Sequence, residues 1–218
     1  MLQKQERNSS KILLAIHSTN KFFGFAYREL KKINFKEDFF TKEFDKNLSN
    51  NLICDLSLFL SKKSFKSIER ISVSVGPANF NASRTILACA RTLSQQIGCS
   101  LDGFSNFELM AKRIAIKNKM HKNNHKFWII NKLKRRGYIA GQYLINYRNN
   151  ELATINVKEL IKPKLYEQIN IGKSHYEANY HIKEELKELL ELSSSNYQNS
   201  VSNSWEKVLP IYPISATN

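Results

Sequence analysis

The hydrophobic pattern of the chain changes period several times, and each change predicts an element. Residues 12–16, Ile-Leu-Leu-Ala-Ile, form a short continuous apolar run that reads as a buried strand. His17-Ser18-Thr19-Asn20 is then expected to turn the chain, with 22–27 and 39–44 returning as two further strands. Between 49 and 63 the period lengthens. Leu52, Ile53, Leu56, Phe59 and Leu60 share one arc of a helix, while Leu58 points the other way. Ile71, Val73 and Val75 alternate with serines, as a strand with one buried face does. The turn-rich loop 76–81 follows, and Ile86, Ala90, Leu93 and Ile97 then occupy one narrow helical arc. This stretch reads strand, tight loop, helix. Asn81 is the expected N-cap, its side-chain oxygen accepting from backbone N–H groups that otherwise lack partners. Leu87, Ala88 and Arg91 fall on the opposite, outward arc.

A strand over 99–104 and a helix over 106–116 complete the first half. Residues 117–126 form a polar, basic linker. Strands over 127–131, 138–147 and 152–157 predict a second sheet, with another strand at 165–171. Residues 178–192 read as an amphipathic helix with Ile182, Leu186, Leu189 and Leu190 inward and its glutamates outward. Residues 193–204 are a Ser/Asn-rich connector, and 4–10 a polar, frayed start. The predicted class is α/β, with a half-domain at 1–116 and a smaller one at 117–218.

Composition removes several function classes. At 218 residues and 42% hydrophobic the chain can bury a core, and no apolar run approaches the roughly 18 residues that span a bilayer. Cys54, Cys89 and Cys99 are odd in number and contain no CxxC pair, so they are expected to be buried thiols of a reducing compartment, and the chain cytoplasmic. The net charge is +15, and residues 109–150 carry 11 basic and no acidic side chains. Such a block fits a polyanionic partner; enrichment in Lys, Asn and Ile throughout offers a compositional reading of the same excess. Lys132, Lys134, Arg135 and Arg136 are its candidate RNA contacts. Trp128 and Phe127 interrupt the run but belong to an apolar strand. His121 and His125 stand four apart without a nearby carboxylate, so no metal site is expected. No Ser/His/Asp or Cys/His set has a spacing that recommends it, so no catalytic residue is expected either.

The central loop carries a resemblance. Gly76-Pro77-Ala78-Asn79-Phe80-Asn81-Ala82-Ser83-Arg84 resembles Gly-Pro-Gly-Ser-Phe-Thr-Gly-x-Arg, with Gly76, Pro77, Phe80 and Arg84 in register and Asn81 replacing the Thr. That motif belongs to the TsaB (YeaZ-type) accessory subunits of bacterial tRNA threonylcarbamoyladenosine synthesis. Ser105, Phe107, Glu108, Leu109 and Ala111 resemble the family's Ser-x-Leu-Glu-x-Leu-Ala segment, and 208–213 resembles its Pro-x-Tyr close. The resemblance implies two actin-like (ribonuclease H-like) half-domains, each a mixed sheet flanked by helices. It implies a non-catalytic subunit that needs no cofactor and pairs with the catalytic transferase paralogue (TsaD-type) through the two helices at 49–63 and 83–97. Leu58, Leu87, Ala88 and Arg91 are then the interface residues. Further partners implied are the small ATPase subunit, tRNA, and a second copy of the chain when it is alone.

In nucleotide-binding relatives an acidic residue ends the first strand and another the strand near 131; here these positions are His17 and Asn131. Ala78 and Ala82 stand where glycines would let backbone N–H groups close on phosphate. A residual nucleotide-dependent enzyme and an RNA-binding module over 112–136 remain the alternatives.

Overall fold

The computed structural model describes residues 11–30, 36–44, 48–120, 123–147, 155–168, 172 and 174–213. Expectations for 4–10, His121, Lys122, 152–154 and 169–171 lie outside the described residues. The first half runs β1 (Lys11–Ser18), β2 (Phe22–Leu30), β3 (Lys36–Glu43), α1 (Leu48–Phe59), α2 (Lys62–Phe65), β4 (Ile68–Ser74), α3 (Phe80–Ile97), β5 (Ser100–Phe104) and α4 (Asn106–Lys117). The second runs β6 (Lys126–Leu133), β7 (Gly137–Tyr147), β8 (Ile155–Tyr166), β9 (His175–Glu177) and α5 (Ile182–Gln198), then a 3-10 turn over Trp205–Lys207.

Two mixed sheets result, and they repeat one plan. The first has strand order β3-β2-β1-β4-β5 and the second β8-β7-β6-β9. In each, three strands meander antiparallel and the fourth pairs parallel with the first. The first half places α1 and α2 between its third and fourth strands; among the described residues no helix lies between β8 and β9.

The continuous apolar run of β1 is explained by burial on both faces. Ile12, Leu14 and Ile16 join a core with Leu52, Leu56 and Ile86 from α1 and α3. Leu13 and Ala15 face the other way and join Leu109 of α4 and Leu186, Leu189 and Leu190 of α5. A third cluster packs Phe107, Met110 and Ile114 of α4 on Phe127, Ile129, Ile139 and Tyr143 of the second sheet. Helix α4 is thus shared by both sheets, while α5 crosses back to cover the first.

Several sequence expectations change. His17 and Ser18 are strand, not turn, because β2 continues alongside and pairs them with Gly24 and Phe23. A Cβ on Gly24 would meet Phe40 O at 2.5 Å and Leu186 Cδ1 at 2.9 Å, so α5 reaches the end of β1 only over a glycine. Ile53 is 55% exposed: α1 buries the single stripe of Leu52 and Leu56, with Leu60 just beyond it. Residues 155–166 form one strand, with register shifts opposite 140–143. Pro163 is tolerated there because β8 is an edge. Helix α5 extends through six residues of the expected connector, since Ser193 and Ser194 are buried and Ser194 Oγ accepts from Arg28 at 2.7 Å. Cys54 is exposed, and Cys89 and Cys99 are half-buried, so the expectation of three buried thiols fails at Cys54.

Candidate functional site

The 76–81 loop is held from several sides. Asn106, at the start of α4, donates from Nδ2 to Ser18 O at 2.8 Å and accepts from Gly76 N at 3.0 Å. Its own backbone N–H donates to Gly76 O. Tyr180 donates to Pro77 O at 2.9 Å, and Ile211 N donates to Val75 O. Gly76 has φ +96°, a backbone conformation that favours glycine, and Gly76 and Pro77 are buried. The polar groups of Gly76 and Pro77 are therefore bonded within the chain itself.

Helix α3 begins two residues earlier than the pattern suggested. Asn79, not Asn81, is the N-cap, and Asn79 Oδ1 accepts from Ala82 N at 3.1 Å. Asn81 is already helical and its carbonyl accepts from Thr85 Oγ1 at 2.9 Å. Phe80 packs on Tyr212 with ring centroids 5.3 Å apart, and the Arg84 guanidinium lies 5.3 Å over Phe80. The motif residues Phe80 and Arg84 thus build a surface aromatic corner with the end of the described chain.

Beside the loop, β1 ends in a closed polar cluster. His17 Nε2 lies 2.8 Å from Glu185 Oε2, and both side chains are wholly buried. Glu185 Oε1 accepts from His181 N at 2.8 Å and from Arg113 Nη2 at 3.2 Å. Arg113 also pairs with Glu184 at 3.0 Å and donates to Asn179 O. His17 Nδ1 has no described partner. Nothing in the local sequence marked Glu185, whose place on the amphipathic helix put it among the outward glutamates. Its burial arises because α5 itself packs on β1, with Leu186, Leu189 and Leu190 against Leu13 and Ala15. A sealed imidazole–carboxylate pair cannot exchange protons with a substrate, so it works as a clamp between α5 and β1.

The outward arc of α3 divides. Leu87 is 3% exposed and lies in the core with Leu52 and Leu56, because α1 packs beside α3 and covers a second side of it. That corrects its assignment as a surface residue. Ala88 is exposed, and Arg91 is half-buried with its guanidinium 5.3 Å over the Trp205 ring. On α1, Leu58 is 86% exposed.

The basic block also divides. Lys112 pairs with Glu188 at 3.7 Å and Arg113 with two glutamates, so α5 supplies acids that the local sequence lacks. Lys132, Lys134, Arg135 and Arg136 are all exposed at the β6–β7 hairpin. Asn131 lies inside β6, two residues before its end. Among the described residues no three His, Cys, Asp or Glu side chains are grouped to hold a metal, and no helix is long and apolar enough to cross a membrane.

No protein-family model matches the chain, and no curated protein does. Solved structures do. An uncharacterised Pseudomonas aeruginosa protein described as similar to peptidase YeaZ superposes with TM-score 0.66 at 13% identity, over 94% of this chain and all of its own. YeaZ from Pseudomonas aeruginosa gives TM-score 0.62 at 13% identity, over 93% of this chain and 99% of its own. The chain has the YeaZ fold. Within that fold, the motif loop and the β1 end are adjacent, tied together by Asn106, and the α1–α3 pair lies on the opposite face of the first sheet from α5.

Proposed function

We propose that the chain is a non-catalytic scaffold of the TsaB type, which supports threonylcarbamoylation of the adenosine beside the anticodon by binding the catalytic transferase paralogue. The observation that carries this reading is the sealed His17–Glu185 pair, where nucleotide-binding relatives place an acidic residue. The shared fold and the Gly76, Pro77, Phe80 and Arg84 register agree with it. The docking surface in this reading is the outer side of α1 and α3. Leu58 and Ile53 are large apolar side chains of α1 standing in solvent, Leu58 on the side beside Asp38 and Phe39 of β3, and Ala88 is exposed on α3. Leu87 acts from beneath, by holding the two helices together, and Arg91 by pinning the 3-10 turn to α3. The small ATPase subunit and tRNA are the remaining partners of such a complex, a second copy of the chain takes the same face when the protein is alone, and the cytoplasm is its place.

The peptidase in the neighbour's description is not part of this reading. The buried His17 is 0% exposed and can reach no peptide. Affinity purification of the tagged protein from its native cell is the test. Recovery of the transferase paralogue in stoichiometric amount is expected. Its absence, with an enzyme of nucleotide metabolism or RNA alone recovered instead, would overturn the reading.

A further inference from the structure

The second sheet has α4 on one face and no described helix on the other. Phe127, Ile129, Ile139 and Tyr143 fill the covered face. The strand pairings place Trp128, Lys132, Tyr138, Lys164 and Tyr166 on the other. In the first half the corresponding region of the chain forms α1 and α2; here it leaves this face without a described helix. Ala140 is fully buried on the open face, because Trp128 and Tyr166 close over it edge to face, with ring centroids 6.0 Å apart. Lys164 Nζ stands 5.2 Å over the Tyr166 ring. All three aromatic side chains are half-buried, so each keeps an accessible surface.

Cations surround these rings. Lys126 and Lys158 stand exposed on the same face, at either flank of Leu144. At the other end the exposed hairpin carries Lys134, Arg135 and Arg136, and Arg135 (φ +65°) and Gly137 (φ +87°) fold it into a tight turn. No described carboxylate forms an ion pair with any of these side chains. The register puts one acid on this face, Glu177 of β9 beside Ile130, and Glu159 of β8 on the other face beside Tyr143. A folded protein partner of ordinary composition has no use for rings ringed by free lysines. A polyanion with flat bases does: phosphates meet the lysines and bases stack on the rings.

We propose that the open face of the second sheet, from Trp128 and Tyr166 to the 133–137 hairpin, is a platform for single-stranded RNA. The choice of RNA over DNA rests on the scaffold reading above; the single-stranded, stacking mode rests on the face alone. Double helices keep their bases stacked inside, so they can use the lysines but not the rings.

The protein has two tryptophans, Trp128 and Trp205, so a Trp205→Phe background reports Trp128 alone. A short oligouridylate should quench that emission saturably, and an RNA duplex of equal length should bind more weakly. Trp128→Ala with Tyr166→Ala should weaken oligouridylate binding about tenfold or more, and the paired Phe substitutions should restore it. Because the alanine pair opens a small packed cluster, Lys158→Glu with Lys164→Glu, both on exposed positions, provides a second variant and should weaken binding without changing the melting temperature. Equal affinity for duplex and single strand, absence of quenching, or unchanged binding in both variants would overturn the platform. Loss of the platform is distinguishable from loss of the scaffold role, because association with the transferase paralogue is measured on the same variants and is expected to be unchanged.

Discussion

The ends of β1 and β6 occupy equivalent places in the two sheets, and the chain treats them in opposite ways. At the end of β1 the sheet is covered on both faces, and His17 is locked to Glu185 with Arg113 and the His181 backbone in attendance. At the end of β6 the chain runs into an exposed hairpin with four cations and an uncovered sheet face. The difference lies in which helices each half supplies. The first half receives α5 from the second and keeps α1 and α3 for itself; the second shares α4 and has no described helix on its other face.

The clamp is the place to break this comparison hardest. Glu185→Ala leaves His17 and Arg113 without their shared carboxylate in a dry site. Removing one partner of a buried pair costs about 3–5 kcal/mol, so the melting temperature should fall steeply, and the far-UV signal of α5 should be lost first. A small shift would mean that water reaches the site and the cleft is open. Leu87→Glu should also unfold the protein, by several kcal/mol, since a carboxylate would enter the core beneath α1. A stable Leu87→Glu protein would place Leu87 on the surface after all.

A smaller and pH-dependent effect is expected at Glu108, which lines a cleft of about 370 Å³ with Lys112 and Glu188. Burial first, and the nearby Glu159 second, push its carboxyl from the usual 4.5 to about 7. Between those values the unfolded chain has released the proton and the folded one still holds it. Stability contributed at this site is therefore lost as pH rises from about 4.5 to 7. Glu108→Gln should melt a few degrees higher than the unmodified protein at pH 8 and no differently at pH 4.5. A pH-independent difference would show that Glu108 is solvated.

The sequence made the first half legible because periodicity and burial agree there. The apolar arc of α3 corresponds to a burial that local residues announce; the alternation at 71–75 announced a strand but only one of its two buried faces, since Ser72 and Ser74 are also 0% exposed. What stayed hidden depends on partners distant in the chain. Glu185 looks like any helix glutamate until β1 brings His17 against it, and Lys112 and Arg113 look unopposed until α5 supplies their acids. Leu87 was misassigned because its cover is another helix, which the period of α3 alone does not reveal. On the open sheet face, Trp128 reads as core from its strand, and only the register with Tyr138 and Tyr166 shows which side it takes. The motif loop was legible as a turn but not as a filled one: the groups that occupy it come from Asn106, Tyr180 and Ile211.

In the scaffold reading, α1 and α3 present a docking face to a catalytic paralogue. Light scattering on the protein mixed with its transferase paralogue tests it most directly, using the unmodified chain and Leu58→Glu. Leu58 stands 86% exposed, so the substitution should leave the melting temperature unchanged within about 0.5 kcal/mol. The account predicts a stoichiometric complex for the unmodified chain and two separate species for Leu58→Glu, because an unpaired carboxylate would be buried at the contact. A complex that survives Leu58→Glu, or no complex with the unmodified chain, would contradict it.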